Sequence, residues 1–303
     1  MEENYWIVDD WLIFKSEFND ELDEYYDIIN KYAKIMFSNY DDPLIAIETN
    51  NKINTEYDCI DNKFNKKIDL SNNINLTHLI FGDEFNNKID LSNNINLKFL
   101  FLGNSYNKHI NLSNNINLEY LILGSDFNQE INLLNNFKLR YLTFGICFNK
   151  EIDLSNNVNL TNLIFGWDFN QKIDLSNNIN LIYLEFSSYF NKEIVIPLNV
   201  KSLTMKYCNN QYIIDNLHNN IEELRIQETG LNLDNLPNSI KKLYIIDYKK
   251  KLNNLPNSIE YLELNNYNFK IKKIPKNLKT IKCNINYKYI DDFEDYKVIY
   301  YDV

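Results

Sequence analysis

Apolar and polar positions along this chain follow a unit that recurs every 21 residues over its central part. Each unit contains the pattern Leu-x-x-Leu-x-[Leu/Phe], as in LTHLIF at 76–81 and LKFLFL at 97–102. The second leucine and the residue two positions later point to one side of a β-strand, and the residues between them point to the other. Each unit therefore predicts one short strand, and strands repeated in phase predict a parallel sheet.

The repeat covers residues 51–283 in about 11–12 units of 19–21 residues, if a degenerate unit before Phe64 is included. The first leucine of each strand pattern marks the step. It occurs at Leu76, Leu97, Leu118, Leu139, Leu160 and Leu181, and its counterparts are Val200, Ile221, Ile240, Ile259 and Leu278. A return path this short has no room for a long helix, so we expect extended or short 3₁₀ segments there.

An aromatic residue followed by asparagine recurs at the same step. We expect the aromatic rings to stack inside the solenoid, where burying each one contributes about 1.5–3 kcal/mol. The asparagines would form a ladder of hydrogen bonds to neighbouring backbone groups. The predicted spine is Phe64, Phe85, Tyr106, Phe127, Phe148, Phe169 and Phe190, and the predicted ladder is Asn65, Asn86, Asn107, Asn128, Asn149, Asn170 and Asn191.

These units resemble leucine-rich repeats, and more closely the FNIP repeat. The resemblance rests on GDEFN (82–86), GSDFN (124–128), GICFN (145–149) and GWDFN (166–170), and on LPNSIKKL (236–243) and LPNSIEYL (255–262). The central units depart from it, with LSNN in place of Leu-Pro. The resemblance implies a horseshoe with one parallel concave sheet. It also implies a source among AT-rich amoebae or mimivirus-like giant viruses of amoebae, which agrees with abundant Asn, Ile and Lys beside only two arginines.

The concave face is the usual interaction surface of a solenoid. We expect a protein partner to bind its aromatic N-terminal half, because a contiguous outward apolar patch is typical of binding anchors. The predicted binding residues are His78, Ile80, Phe99, Phe101, Tyr120, Ile122, Tyr141, Ile164 and Tyr183. Self-association in a homo-oligomer and cover by the N-terminal segment remain open as alternatives.

Three function classes follow: an interaction scaffold, a ubiquitin-ligase substrate receptor, and a structural component of a virus particle. The second is implied by the resemblance, since FNIP-repeat proteins often carry an F-box ahead of the repeats. Residues 1–50 lack the early Leu-Pro and the basic-aromatic ending of an F-box.

The two ends of the chain lie outside the repeat and are predicted to cap it. Apolar spacing in 19–37 predicts a helix with Asp20 as its N-cap, followed by a strand at 43–48 within a cap of residues 1–50. WIVDDWLIF at 6–14 predicts a strand or a short amphipathic segment. Residues 284–303 are predicted to close the last coil.

The motif DLSNN at 69–73 predicts a turn after a short second strand that contains Ile68 and Leu70. The glycines at 82, 103, 124, 145 and 166 are expected to permit a bend or a positive φ. Aspartates recur at Asp69, Asp90, Asp153 and Asp174, but Asn111 and Asn132 interrupt the column, which disfavours a calcium site.

Composition and spacing argue against several other classes. The net charge of −11 and the acidic N-terminal segment disfavour nucleic acid, and no apolar run is long enough for a membrane span. His78, His109 and His218 occupy different repeat positions, so no catalytic or metal constellation is predicted, and we expect neither enzyme activity nor a cofactor. Unpaired cysteines and the lack of a signal peptide favour an intracellular location, in the host cytoplasm or a virus particle if the source is viral.

Overall fold

The computed structural model describes residues 4–37 and 62–301. These residues form two compact units, one ending at Phe169 and the other beginning at Asn170. The predicted strand at 43–48, most of the degenerate unit before Phe64, and Cys59 lie outside the described residues.

The first unit is a row of short strands that are hydrogen-bonded in chain order. Strands β1 and β2 are antiparallel, and each later strand pairs with its predecessor in parallel. The elements are β1 (Tyr5–Val8), β2 (Trp11–Phe14), α1 (Tyr26–Ile29), β3 (Lys34–Phe37), β4 (His78–Ile80), β5 (Phe99–Phe101), β6 (Tyr120–Ile122), β7 (Tyr141–Thr143) and β8 (Asn162–Ile164).

The second unit continues the same plan, and all of its described strands are paired in parallel. Its elements are β9 (Tyr183–Phe186), β10 (Ser202–Lys206), α2 (Gln211–Asp215), β11 (Glu223–Gln227), β12 (Lys242–Ile246), β13 (Tyr261–Asn265), β14 (Thr280–Cys283), a 3₁₀ helix (Ile290–Phe293) and β15 (Lys297–Tyr300). The predicted repeat solenoid built on a parallel sheet is therefore confirmed in each unit.

The core lies behind the sheet, where the leucine of each strand meets its counterparts in register. Leu79, Leu100 and Leu121 are partners on adjacent strands, and all three are fully buried. The residue two positions later, such as Phe81 or Leu102, is also buried. Burial of each such side chain contributes about 1.5–3 kcal/mol, so successive repeats stabilise one another through this layer.

The return path from β4 to β8 is built from turns, whereas in the second unit it also includes α2 and the 3₁₀ helix. The Asp69 carboxylate accepts a hydrogen bond from the Ser71 backbone N–H at 2.9 Å, and the Asn73 N–H donates to the Leu70 carbonyl. The hydrogen bonds from Ser71 lower the pKa of the Asp69 carboxyl. The predicted turn is confirmed, whereas Ile68 and Leu70 do not form a second strand.

The repeated glycines allow the backbones of neighbouring repeats to approach closely. The expected positive φ is wrong. None of the described glycines has a positive φ. A Cβ on Gly124 would lie 2.0 Å from the carbonyl oxygen of Gly103, and one on Gly103 would lie 1.7 Å from that of Gly82. Neighbouring repeats touch backbone to backbone at this column, and a side chain would force them apart.

The N-terminal cap contains more strand than helix, which corrects the predicted helix over 19–37. Helix α1 is only four residues long, its N-cap is Tyr25, and Asp20 instead accepts a hydrogen bond from the Asn4 side chain. Residues 34–37 form β3 because they pair with β2 on one side and with β4 on the other. This pairing extends the sheet, and Ile35, Met36 and Phe37 are buried. Tertiary pairing outweighs the helical spacing of the sequence.

The C-terminal segment, which was predicted to close the last coil, adds one more strand to the sheet. Strand β15 pairs with β14 in parallel, and the 3₁₀ helix before it buries Phe293. Tyr287 is also buried, and its hydroxyl donates to the Phe269 carbonyl at 2.8 Å.

Candidate protein-interaction face

The seven predicted spine residues are all placed in the interior, with 2% or less of each side chain exposed. In the first unit their rings form a continuous stack, in which the Phe85 and Tyr106 centroids are 5.9 Å apart and the planes differ by 9°. Ring contacts continue between Tyr106, Phe127, Phe148 and Phe169 at 6.1–6.3 Å. The Tyr106 hydroxyl is buried, and no described residue lies within hydrogen-bonding distance of it.

The predicted ladder asparagines bond to the next repeat, but at the surface rather than in the interior. The Asn65 side-chain oxygen accepts from the Asn86 N–H at 3.0 Å, and Asn86 accepts from Asn107 in the same way. The same contact joins Asn107 to Asn128, Asn128 to Asn149, and, in the second unit, Asn170 to Asn191. These bonds align successive turns of the coil.

A second and deeper asparagine ladder lies at positions that the sequence pattern did not single out. The last asparagine of each SNN or LNN triplet is almost fully buried, at Asn73, Asn94, Asn115, Asn136, Asn157 and Asn178. The Asn115 amide donates to the carbonyls of Leu91 at 3.0 Å and Asn94 at 2.9 Å, one repeat earlier. An asparagine at this position in all six units is the sequence signal that could have identified the buried ladder.

We call the side of the sheet away from the leucine core the front face. In the first unit it carries a stacked row of rings, the aromatic row, made of His78, Phe99, Tyr120 and Tyr141. Successive centroids are 5.9, 5.9 and 6.0 Å apart, and Tyr120 is 38% exposed while the other three are partly buried. These four predicted site residues are therefore brought together and reach solvent.

The second predicted row of the front face is not exposed, which corrects the expected outward patch. Ile80, Phe101, Ile122 and Ile164 are 1–8% exposed. The first three pack with Trp11, Ile13 and Met36, and Phe99 and Trp6 flank this cluster. Strands β2 and β3 place Ile13 and Met36 in register with Ile80. The N-terminal strands thus contribute to burying this row, which forms a packed base beside the aromatic row.

His78 joins the aromatic row to this base. Its ring stacks on Phe99 at 5.9 Å and meets the edge of Trp11 at 5.7 Å, and its Nδ1 lies 2.9 Å from the Thr77 hydroxyl. Burial, with a further contribution from Lys34, lowers the pKa of His78 to about 4. The ring is therefore neutral at physiological pH, as an apolar contact requires.

The front face of the second unit is charged rather than apolar. Tyr183, the remaining predicted binding residue, donates its hydroxyl to Glu185 at 2.5 Å, and Lys206 lies 3.1 Å from the other oxygen of that carboxylate. Burial and the charge of Glu185 raise the pKa of Tyr183. Tyr183 thus belongs to a polar cluster, separate from the aromatic row.

The same arrangement recurs at Glu263. Tyr261 and Tyr301 each donate a hydroxyl to its carboxylate at 2.8 Å, and the Lys282 ammonium lies 3.9 Å away. Both glutamates follow a tyrosine two positions earlier, in YLE at 183–185 and 261–263. Side chains two apart share one face of a strand, which explains why this spacing yields the same contact twice.

Burial favours the protonated form of the three described thiols. Burial raises the pKa of Cys208 to about 11 and also raises the pKa values of Cys147 and Cys283. Within the ranges 4–37 and 62–301, no group of three or more His, Cys, Asp or Glu side chains could hold a metal ion. None of the helices in these ranges is long and apolar enough to cross a membrane.

Comparison with known proteins places this geometry in a class. The FNIP Repeat family model matches residues 231–267. CroV588, a circular LRR protein of a giant virus, matches 94% of this chain and 45% of its own length, with a TM-score of 0.69 and 29% identity. InlJ and the internalin InlF of Listeria monocytogenes match with TM-scores of 0.50 and 0.55 at 15% identity, covering 91% and 90% of this chain and 67% and 86% of theirs. Curated proteins give no match.

The parallel strands and the ladders define a leucine-rich-repeat protein. More narrowly, residues 231–267 match the FNIP Repeat, and the fold is similar to that of CroV588, which comes from a giant virus. It spans less than half the length of CroV588.

Proposed function

We propose that the protein is a binding scaffold rather than an enzyme, and that it binds a protein partner through the front face of its first unit. The observation that carries the proposal is the aromatic row. Tyrosine rings that reach solvent beside a packed apolar cluster resemble the anchors that dominate protein interfaces.

The packed base beside the row supports this proposal. Ile80, Phe101 and Ile122 pack with Trp11, Ile13 and Met36, and Phe99 of the aromatic row packs against this cluster, so its ring is positioned before a partner arrives. Binding then orders few additional side chains, which lowers its entropic cost.

Affinity capture from host cells tests the proposal, with a variant that removes three rings of the row: Phe99→Ala, Tyr120→Ala and Tyr141→Ala. The matched control removes an exposed aliphatic ridge of the same repeats: Ile74→Ala, Ile95→Ala and Ile116→Ala. These isoleucines are 42–59% exposed and follow the same 21-residue step. A partner that wild type and control retain and the ring variant loses supports the proposal. Equal capture by all three chains rejects it.

Self-association is the second candidate, and the aliphatic ridge favours it. An exposed apolar residue at the same position in consecutive repeats offers a regular apolar strip to a second copy of the chain. Light scattering of wild type and of the ridge variant measures this directly. A concentration-dependent mass that only the ridge variant loses supports self-association, and a constant monomer mass rejects it.

The captured partner also tests the narrower proposals. A Skp1-like protein would indicate a ubiquitin-ligase receptor, and virion proteins would indicate a component of a virus particle. An intracellular location is part of the proposal, supported by the unpaired thiols of Cys147, Cys208 and Cys283.

A further inference from the structure

Arg225 occupies the centre of the charged front face of the second unit. It lies on β11 between Thr204 and Tyr244, its partners on the adjacent strands. Its guanidinium stacks over the Tyr244 ring at 4.4 Å from the centroid, and the residue is half-buried. An arginine stacked in this way is held in place with its edge directed away from the ring.

The guanidinium has no acceptor among the described residues, although carboxylates are near. Glu185 and Glu263 lie in its own row, each two strands away, which corresponds to about 10 Å. Each is already occupied by a tyrosine hydroxyl and a lysine. Glu223, two residues before Arg225, lies 3.4 Å from Lys242.

A guanidinium has five N–H donors, and those of Arg225, a partly exposed residue, are open to an acceptor from outside the chain. The surrounding charges show which acceptor fits. The positive groups are Arg225, Lys206, Lys242 and Lys282, and the negative groups are Glu185, Glu223 and Glu263, so four charges minus three leave +1. One monoanion neutralises this cluster.

The group that binds here should be a monoanion and should accept hydrogen bonds from the guanidinium. A carboxylate does both, because it carries a single charge and its two oxygens match the paired N–H groups of a guanidinium. A phosphorylated side chain carries about −1.5 to −2 and would be repelled by three neighbouring carboxylates.

We propose that Arg225 is a carboxylate-binding site, which takes one glutamate or aspartate side chain from an acidic segment of a partner protein. The Tyr244 ring forms one wall of this site, and the Arg225 guanidinium provides the specific contact with the carboxylate. The inference extends the proposed function to the second unit. Its test uses defined peptides and needs no cellular partner, so either proposal can fail alone.

Arginine NMR tests the site directly, because the chain has only two arginines, Arg140 and Arg225. Full-length protein labelled with ¹⁵N-arginine gives two Nε–Hε signals, which Arg140→Lys and Arg225→Lys assign. Arg140 is exposed and serves as the internal control. The probes are acetyl-Gly-Glu-Gly-amide, its Gln counterpart and its phosphoserine counterpart.

We expect the Glu peptide to move the Arg225 signal with saturation while the Arg140 signal stays in place, and the Gln peptide to move neither. A shift that is absent, or is the same for both arginines, overturns the proposal. Tighter saturation by the phosphoserine peptide overturns the choice of a carboxylate.

Tyr244→Glu provides a second, independent readout. It places a carboxylate on the adjacent strand beside Arg225 and brings the local charge from +1 to 0. Tyr244→Gln removes the same ring without adding a charge and is the matched control. The Arg225 signal of Tyr244→Glu should respond less to the Glu peptide than that of Tyr244→Gln. An equal response of the two variants contradicts the proposal, and circular dichroism like that of wild type reports that the chain is folded.

Discussion

Asn115 tests whether the buried asparagine ladder stabilises the repeats. Its side chain is fully buried and donates two hydrogen bonds to carbonyls of the preceding repeat. Asn114, its neighbour, is exposed and donates one bond to the Ser92 carbonyl. The two positions share residue type and spacing, and they differ in burial and in the number of hydrogen bonds that the side chain donates.

The magnitude follows from the bonds that Asn115→Ala removes. The Leu91 and Asn94 carbonyls each keep one backbone donor, so neither is left without a partner. The loss is then two net hydrogen bonds at about 0.5–1.5 kcal/mol each, or about 1–3 kcal/mol in the free energy of unfolding. The variant also removes the Asn115 Oδ1, which is buried without a partner among the described residues, so the lower half of this range is expected. Asn114→Ala, at the surface, should change it by less than about 0.5 kcal/mol.

Asn115→Asp makes the test more stringent, because it keeps the shape while replacing the donor with a buried charge that faces two carbonyl oxygens. It should destabilise more than Asn115→Ala. Urea unfolding followed by circular dichroism ranks the three variants. Equal midpoints for Asn114→Ala and Asn115→Ala, or an Asn115→Asp chain as stable as wild type, would refute the role given to the ladder.

Three further predictions use the same unfolding assay. Tyr106→Phe should raise the free energy of unfolding by about 1 kcal/mol, since it removes a buried hydroxyl that no described residue satisfies; a loss would indicate a hidden partner. Gly124→Ala should destabilise because its Cβ meets the Gly103 carbonyl, whereas Gly230→Ala meets only the Asn209 side chain at 3.4 Å and should cost less. The pKa of His78 is about 4 in the folded chain against 6.5 unfolded, so protonation favours unfolding. Stability should fall as the pH drops from 6.5 towards 4, and His78→Phe should reduce that slope; an identical slope would contradict the assignment.

The strands and the spine could be predicted because their signal is periodic and local. A leucine every 21 residues must face one layer if the strands stack in register, so spacing alone assigns Leu79 and its counterparts to the core. The cap was harder. Residues 34–37 have helical spacing, and only their pairing with β2 and β4 makes them a strand.

The repeated glycines also show what a sequence pattern cannot predict. Their regular occurrence indicated a backbone requirement, yet a positive φ and a close approach leave the same mark on a sequence. The 2.0 Å that would separate a Cβ on Gly124 from the Gly103 oxygen distinguishes them, because it depends on the distance between two repeats.

The sequence by itself determined the repeat, the sheet and the identity of the stacking residues, since these depend on spacing along the chain. The tertiary structure decided which of two adjacent asparagines is buried, and that Ile80 and Phe101 form a base while Phe99 and Tyr120 reach solvent. It also decided that Arg225 stands apart from the glutamates of its row. These properties depend on what neighbouring strands place around each side chain, and a periodic sequence assigns equivalent positions the same role until that packing is known.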